Sequence, residues 1–159
     1  MSDAQNQPQT PPPSFPRWLL KVQVFLLRRG WIKGLNKNLM VITTTGRKSG
    51  KEYSVPIGYL RPGGEFANDV LAFNIGGGSN WYRNVSASGR ASLEIMGQKI
   101  AARGEPVTDP AEQMKIIHAY KQNQPWALKR FFGASADAPG SELMKINDRI
   151  KFMRFRPMA

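Results

Sequence analysis

The apolar positions of this chain keep one spacing for a stretch and then change to another. Residues 1–16, MSDAQNQPQTPPPSFP, keep none. A Pro- and Gln-rich run of this kind buries too little apolar surface to order itself, so a disordered tail is expected. In RWLLKVQVFLLRRGW, Trp18, Leu19, Val22, Phe25 and Leu26 recur at helical spacing. Arg28 and Arg29 stand where a helix C-terminus favours cations and Gly30 is the stop, which predicts an amphipathic helix over 18–29. From residue 39 the pattern becomes β-branched and aromatic. LMVITTT and EYSVPIGYLR read as two strands around the turn GRKSG, and Pro56 marks the second as an edge or bulged strand. RPGGEF is a turn, and the unbroken apolar run DVLAFNI predicts a buried third strand.

Beyond it, GGGSNWYRNVSASG predicts a short helix capped by Ser79, with Trp81 and Val85 on one face and Gly89 as the stop. RASLEIMG and QKIAARGEPV follow as two strands joined tightly at Gly97-Gln98. TDPAEQMKIIHAYKQN carries a strong helix start, with Asp109 as cap, Pro110 in the first turn and Glu112 three residues after the cap. Pro125 breaks this helix, and WALKRFFG predicts a shorter one. In RIKFMRFRP, Ile150, Phe152 and Met153 or Phe155 alternate with Arg149, Lys151, Arg154 and Arg156, which predicts a last strand with one wet, positive face. The strands are joined mostly by turns. The expected class is therefore α+β: a six-stranded, mostly antiparallel, closed or half-closed barrel with flanking helices, forming one domain over 17–159.

Composition narrows the chemistry. With 159 residues and no cysteine, the chain has length for a core without disulfides, and it has no thiolate nucleophile or thiolate metal ligand. A reducing, cytoplasmic setting fits, and the N-terminus lacks the basic and apolar regions of a secretory signal. The single histidine, His118, lies mid-helix among Ile116, Ile117 and Tyr120 and reads as structural; one histidine cannot build a His-rich metal site. The acids are scattered, and Glu94 and Glu105, on neighbouring strands, are not marked as a catalytic pair. The net charge of +12 attracts anions without choosing among nucleic acid, anionic lipid and a polyanionic small molecule. Nucleic acid is set aside, because the basic residues are spread along the chain and no nucleic-acid motif appears.

Two stretches carry candidate chemistry. The first is TTTGRKSG. Glycine supplies the turn, but a turn does not need Arg47, Lys48 and Ser49 beside it. The stretch is either a solvated basic turn or a cradle for an anion, most simply a phosphate. It is not the nucleotide-binding P-loop, which has four residues between its first glycine and Gly-Lys; here there are three. The second is NIGGGSNWYRN, where a buried strand, three glycines and a helix N-terminus follow in order. It is either a flexible loop or an anion site that a flat ligand approaches closely. With nucleophiles, bases and metal ligands so scarce, an enzyme built on this chain would rely on a bound cofactor.

VITTTGRKSGKEYSVPIGYL, followed by a buried strand and a glycine loop ending in NWYRNVSASGRASLEI, resembles the deazaflavin-dependent nitroreductase family. The resemblance is specific over 41–60 and 80–95 and runs in element order over about 18–157. It implies a split β-barrel and the deazaflavin coenzyme F420 rather than FMN, with the reduced cofactor passing a hydride to a quinone or nitroaromatic. It implies cofactor contacts from Arg47, Lys48 and Ser49 on the turn, and from Tyr53, Pro56, Ile57 and Gly58 on the second strand. It adds Phe73, Asn74, Ile75 and Gly76 at the third strand's end, and Asn80, Trp81 and Asn84 on the short helix. Trp18, Trp31, Tyr120, Trp126, Phe131 and Phe132 are the candidates to line the acceptor side, with plain core packing the expectation for most of them. The loop departs from the better-known nitroreductases, which carry a serine and a lysine after the third strand; this chain has Asn74, Ile75 and Gly76 there and no lysine between Val70 and Arg83. An alternative within the same resemblance is a membrane-associated, fatty-acid-binding protein without turnover. Its lipid contact would be made by residues 18–33, through Lys21, Arg28, Arg29 and Lys33. A homodimer packed through the N-terminal helix is the remaining partner expectation.

Overall fold

The computed structural model describes residues 38–76, 78–132 and 149–158, together with the exposed Lys21. The tail over 1–16, the helix over 18–29 and the other basic residues of 18–33 lie outside the described residues, as do Trp18 and Trp31. The strands are β1 (Leu39–Thr45), β2 (Glu52–Gly58), β3 (Val70–Ile75), β4 (Arg90–Ile95), β5 (Gln98–Pro106) and β6 (Ile150–Pro157). Helix α1 spans Asn80–Ser88, α2 spans Pro110–Asn123, and the one-turn α3 (Pro125–Ala127) runs into a π-helical turn over Leu128–Phe132. All the strands pair antiparallel in one sheet of order β2-β1-β4-β5-β6-β3. Pro56 sits on β2, an edge strand, where its missing N–H is tolerated.

The two edges of the sheet meet at one point. Leu60, just past β2, and Leu71 on β3 exchange both backbone hydrogen bonds, at 2.9 and 2.8 Å. The sheet thus curls into a barrel hinged at Leu60–Leu71 and open beyond it. From that antiparallel bridge the chain runs back along β2 and forward along β3, so Pro56–Gly58 and Phe73–Ile75 form the two lips of the opening.

Period-2 alternation divides the apolar side chains between two cores. Inside the curl, Met40, Ile42, Val70, Ala72, Leu93, Ala102, Met153 and Phe155 pack around Trp81 and Val85 of α1. Outside β3 and β6, Leu71, Ile150 and Phe152 pack against Ile116, Ile117 and Tyr120 of α2 and against Leu128 and Phe132. Helix α1 can lie so close to the sheet because residue 104 is glycine. A Cβ there would run into Val85 and stand 3.0 Å from Phe155.

This arrangement corrects the expectation for β6. Phe152 and Met153 are adjacent and both buried, because one faces the outer core and the other the inner core. No wet, positive face is left along most of the strand. Arg154 stacks over Phe66 at 5.3 Å, pairs with Asp69 at 3.4 Å and donates to Glu112 at 2.8 Å. Glu112 therefore reaches for β6 instead of closing a capping box at the start of α2, and Asp109 caps that helix without a side-chain hydrogen bond. His118 is exposed on α2.

Candidate functional site

The turn between β1 and β2 is built by its glycines and docked by one asparagine. Gly46 N–H donates to Lys51 O at 2.7 Å and Gly50 N–H to Gly46 O at 2.9 Å. A Cβ on Gly46 would meet Ser49 Oγ at 2.7 Å and Tyr53 Cε2 at 2.8 Å, so any side chain there would have to displace Ser49 and Tyr53, whose hydroxyls lie 3.1 Å apart. Asn84, on the buried face of α1, accepts from Arg47 twice, from Nη1 at 2.9 Å and from the backbone N–H at 3.3 Å. Its own Nδ2 donates to Thr44 Oγ1 at 3.1 Å. Arg47 is thus held by both its backbone N–H and its guanidinium, while Arg47 and Lys48 both remain exposed to solvent.

The same helix carries the second candidate region. Asn84 lies four residues beyond Asn80, about 6 Å along the axis. At the N-terminus of α1, Ser79 makes no side-chain cap. Its Oγ donates to Asn74 Oδ1 at 2.6 Å. Asn74 is only 5 % exposed, and its Nδ2 has no partner. Such an orphaned donor is costly in a folded core unless a water or a ligand atom satisfies it. Gly76, at φ 77°, and Gly78 leave open space where side chains would stand.

The structure therefore brings Arg47, Lys48, Ser49 and Tyr53 together on the turn, and Asn74, Ile75, Gly76 and Asn80 together at the end of β3, with α1 as the strut between them. Pro56, Ile57 and Gly58 face Phe73 and Ile75 across the opening. Trp81 and Asn84 are placed differently. Trp81 packs in the inner core against Tyr82 and Phe155, and both functional groups of Asn84 are engaged by Arg47 and Thr44. Burial raises the Tyr82 and Tyr120 hydroxyls above the ordinary tyrosine range, so both stay protonated at neutral pH. Sequence reasoning missed Thr44 and Gln124. Thr44 falls on the inward phase of β1. The buried Gln124 ties the end of α2 to the barrel by donating to Tyr59 O at 3.1 Å. Among the described residues no cluster of acids and His could hold a metal ion, and no helix is long and apolar enough to cross a membrane.

The aromatic candidates separate into two groups. Tyr120 and Phe132 are core residues, whereas Trp126 and Phe131 are 47 % and 38 % exposed. Phe131 touches Trp126 at 6.0 Å and Phe73 at 5.6 Å between ring centroids. An apolar edge thus runs from the lip of the opening, where Ile75 is 58 % exposed, onto the outer face of the molecule.

A curled six-stranded antiparallel sheet, an opening between its edges, a cationic turn and an uncapped helix N-terminus define a cofactor-binding split barrel. A model of the F420H(2)-dependent quinone reductase family matches residues 29–130, and the chain belongs to that family. It is an F420-dependent reductase, and its cofactor is coenzyme F420. Among solved structures, the chain is similar to one described as an F420-H2 dependent reductase (FDR-A), at 22 % identity over 76 % of this chain and 95 % of that one, TM-score 0.48. It is similar to a second, described as a domain-swapped dimer, at 21 % identity over 88 % and 98 %, TM-score 0.50. A third, a putative pyridoxamine 5'-phosphate oxidase from Listeria innocua, is 11 % identical over 84 % and 94 %, TM-score 0.51. The resemblance read from the sequence is borne out in family and in fold.

Proposed function

We propose that the chain reduces a flat, apolar acceptor of the quinone class at the opening between β2 and β3. The observation that carries this is the contrast between its two sides. Cations and unpaired donors gather at the turn and at the α1 N-terminus, while Ile75, Phe73, Phe131 and Trp126 form a continuous apolar edge beside them. Bound there in its reduced form, the deazaflavin supplies a hydride to the acceptor.

The protein's own part is positioning. Arg47 and Lys48 take the anionic tail, with Ser49 and Tyr53 beside them and Asn84 fixing the turn from below. Pro56, Ile57 and Gly58 on one lip and Phe73, Asn74, Ile75 and Gly76 on the other flank the ring. The aromatic edge excludes water from the acceptor's side and offers ring faces for stacking.

Fluorescence titration with F420, run beside FMN, tests the cofactor half. The Arg47→Ala/Lys48→Ala double variant is expected to lose at least tenfold in F420 affinity, since each charge-assisted contact contributes about 1.5–3 kcal/mol. Unchanged affinity would remove the turn from the site. For the acceptor half, Phe131→Ala should raise KM for a menadione-type quinone while leaving F420 affinity unchanged.

A further inference from the structure

Strand register places three arginines side by side on the outer face of the sheet. Arg90 of β4 pairs with Arg103 of β5, and Arg103 pairs with Arg156 of β6. Their chain neighbours fix the face. Ala91, Ala102 and Phe155 lie in the inner core, so by alternation the three arginines point outward. All three are exposed. Adjacent strands lie about 5 Å apart, so the row is about 10 Å long. Like charges directly opposite one another destabilise a sheet. Among the described residues neither Arg90 nor Arg103 makes an ion pair, and Arg156 reaches only Asp69, at 3.9 Å. The row is also narrow. On the same face Ser92, Ala101 and Met158 border it on one side. Glu105, opposite the already engaged Arg154, borders it on the other.

We propose that Arg90, Arg103 and Arg156 form a docking track for an extended acidic segment of a partner protein. Three guanidinium groups in line offer paired donors to successive carboxylates. A track one residue row wide, edged by a carboxylate, fits a single extended chain and not the broad anionic plane of a bilayer. No aromatic side chain stands in the row or in the rows that border it, so single-stranded nucleic acid lacks its stacking platform. Neither this chain nor a second copy supplies an acidic run, because the closest two of its 11 acids, Asp109 and Glu112, are three residues apart. The turn that takes the cofactor's tail is tied through Arg47 to Asn84 of α1, inside the curl, whereas the row lies outside it. β4, β5 and β6 are inner strands of the sheet, so a segment lying across them leaves the opening between β2 and β3 free.

Fluorescence anisotropy of a labelled oligoglutamate peptide, at about 0.15 M salt, tests this. The parent should bind the peptide, and the Arg90→Ala/Arg103→Ala variant should bind it about tenfold more weakly or worse. Lys99→Ala removes a cation from the same face but outside the row, and should change affinity by less than about twofold. The double variant should melt no lower than the parent, because it relieves like-charge repulsion, and its F420 affinity should be unchanged. An oligothymidylate of equal charge should bind the parent more weakly than the peptide does. The proposal is overturned if the parent does not bind the peptide, or if the oligothymidylate binds more tightly. It is overturned equally if Lys99→Ala costs as much as the double variant, which would show diffuse attraction to a chain of net charge +12. A loss of F420 affinity in the double variant would assign the row to the cofactor's tail and overturn it too.

Discussion

At the scale of single residues, Asn84 holds more of the site together than any charge on the surface. It is 3 % exposed, and its amide joins three elements: the helix it belongs to, Thr44 of β1 and Arg47 of the turn. Asn84→Ala leaves the buried Thr44 hydroxyl without this donor and Arg47 without its anchor. The expected loss is about 1–3 kcal/mol of stability, with F420 affinity falling in parallel. Lys48→Ala should lower affinity alone, so thermal melting beside F420 titration separates anchoring from direct contact. Met96 offers the opposite case. It is exposed and held at φ 50° in the two-residue turn between β4 and β5, a conformation that favours Asn or Gly. Met96→Asn should stabilise the protein by about 1 kcal/mol in denaturant unfolding and leave F420 affinity unchanged.

At the scale of elements, the position of α1 depends on the one strand residue that lacks a side chain. Gly104 of β5 lies under Val85 and against Phe155, and its N–H also donates to Gly89 O at the helix end, at 3.0 Å. Gly104→Ala forces the helix away from the sheet, and overpacking of this kind costs about 1–3 kcal/mol. Because Asn84 and the first turn of α1 move with the helix, the variant should also bind F420 more weakly. A drop in melting temperature with intact affinity would show that the helix is not the strut described here. Much of this level was legible in advance. Over the described residues the order of elements, the Gly89 stop and the break at Pro125 follow from local chemistry, and the structure agrees, whereas the tight turn expected at Gly97-Gln98 falls one residue earlier, at Met96-Gly97, because Gln98 already pairs as the first residue of β5. Ser79 and Glu112 were legible only as residue types suited to capping. Each takes a partner outside its own helix in preference to the cap, Asn74 at the end of β3 for one and Arg154 of β6 for the other.

At the scale of the whole molecule, the outer core is pinned by charge at one edge. Arg154 of β6 joins Glu112 of α2 and Asp69 before β3, and Lys115 reaches both Glu112 and Glu65. The Arg154 hydrogen bond, followed by the Lys115 charge, holds the Glu112 carboxyl below the usual carboxylate range despite some desolvation. A depressed carboxylate contributes its stability above its unfolded pKa and loses it as pH falls through the folded value. Melting temperature should therefore be insensitive to this group at neutral pH and decline below about pH 4, the ordinary glutamate range. Glu112→Gln should melt lower at pH 7 and show a shallower acid decline. An identical acid profile for parent and variant would remove Glu112 from the link.

By itself the sequence determined what is local or periodic: strands and helices with their punctuation, the cationic turn between two glycines, and the run of glycines before a helix. These are set by backbone conformation and by which face of an element is apolar, and a few neighbouring residues specify them. Through its resemblance it also carried the family and the cofactor. Only the tertiary structure decided which distant groups meet. It closed the barrel at Leu60–Leu71, so that Pro56–Gly58 and Phe73–Ile75 became facing lips. It sent Trp81 inward and left Trp126 and Phe131 outside. It covered both faces of β6 along most of its length, where simple alternation predicted one wet face, because the packing of α2 against the barrel's exterior is not encoded in the strand's own spacing. It also left the Asn74 amide buried and unpaired. A hydrogen-bond partner, or the want of one, depends on every neighbour at once, and no short stretch of sequence contains that information.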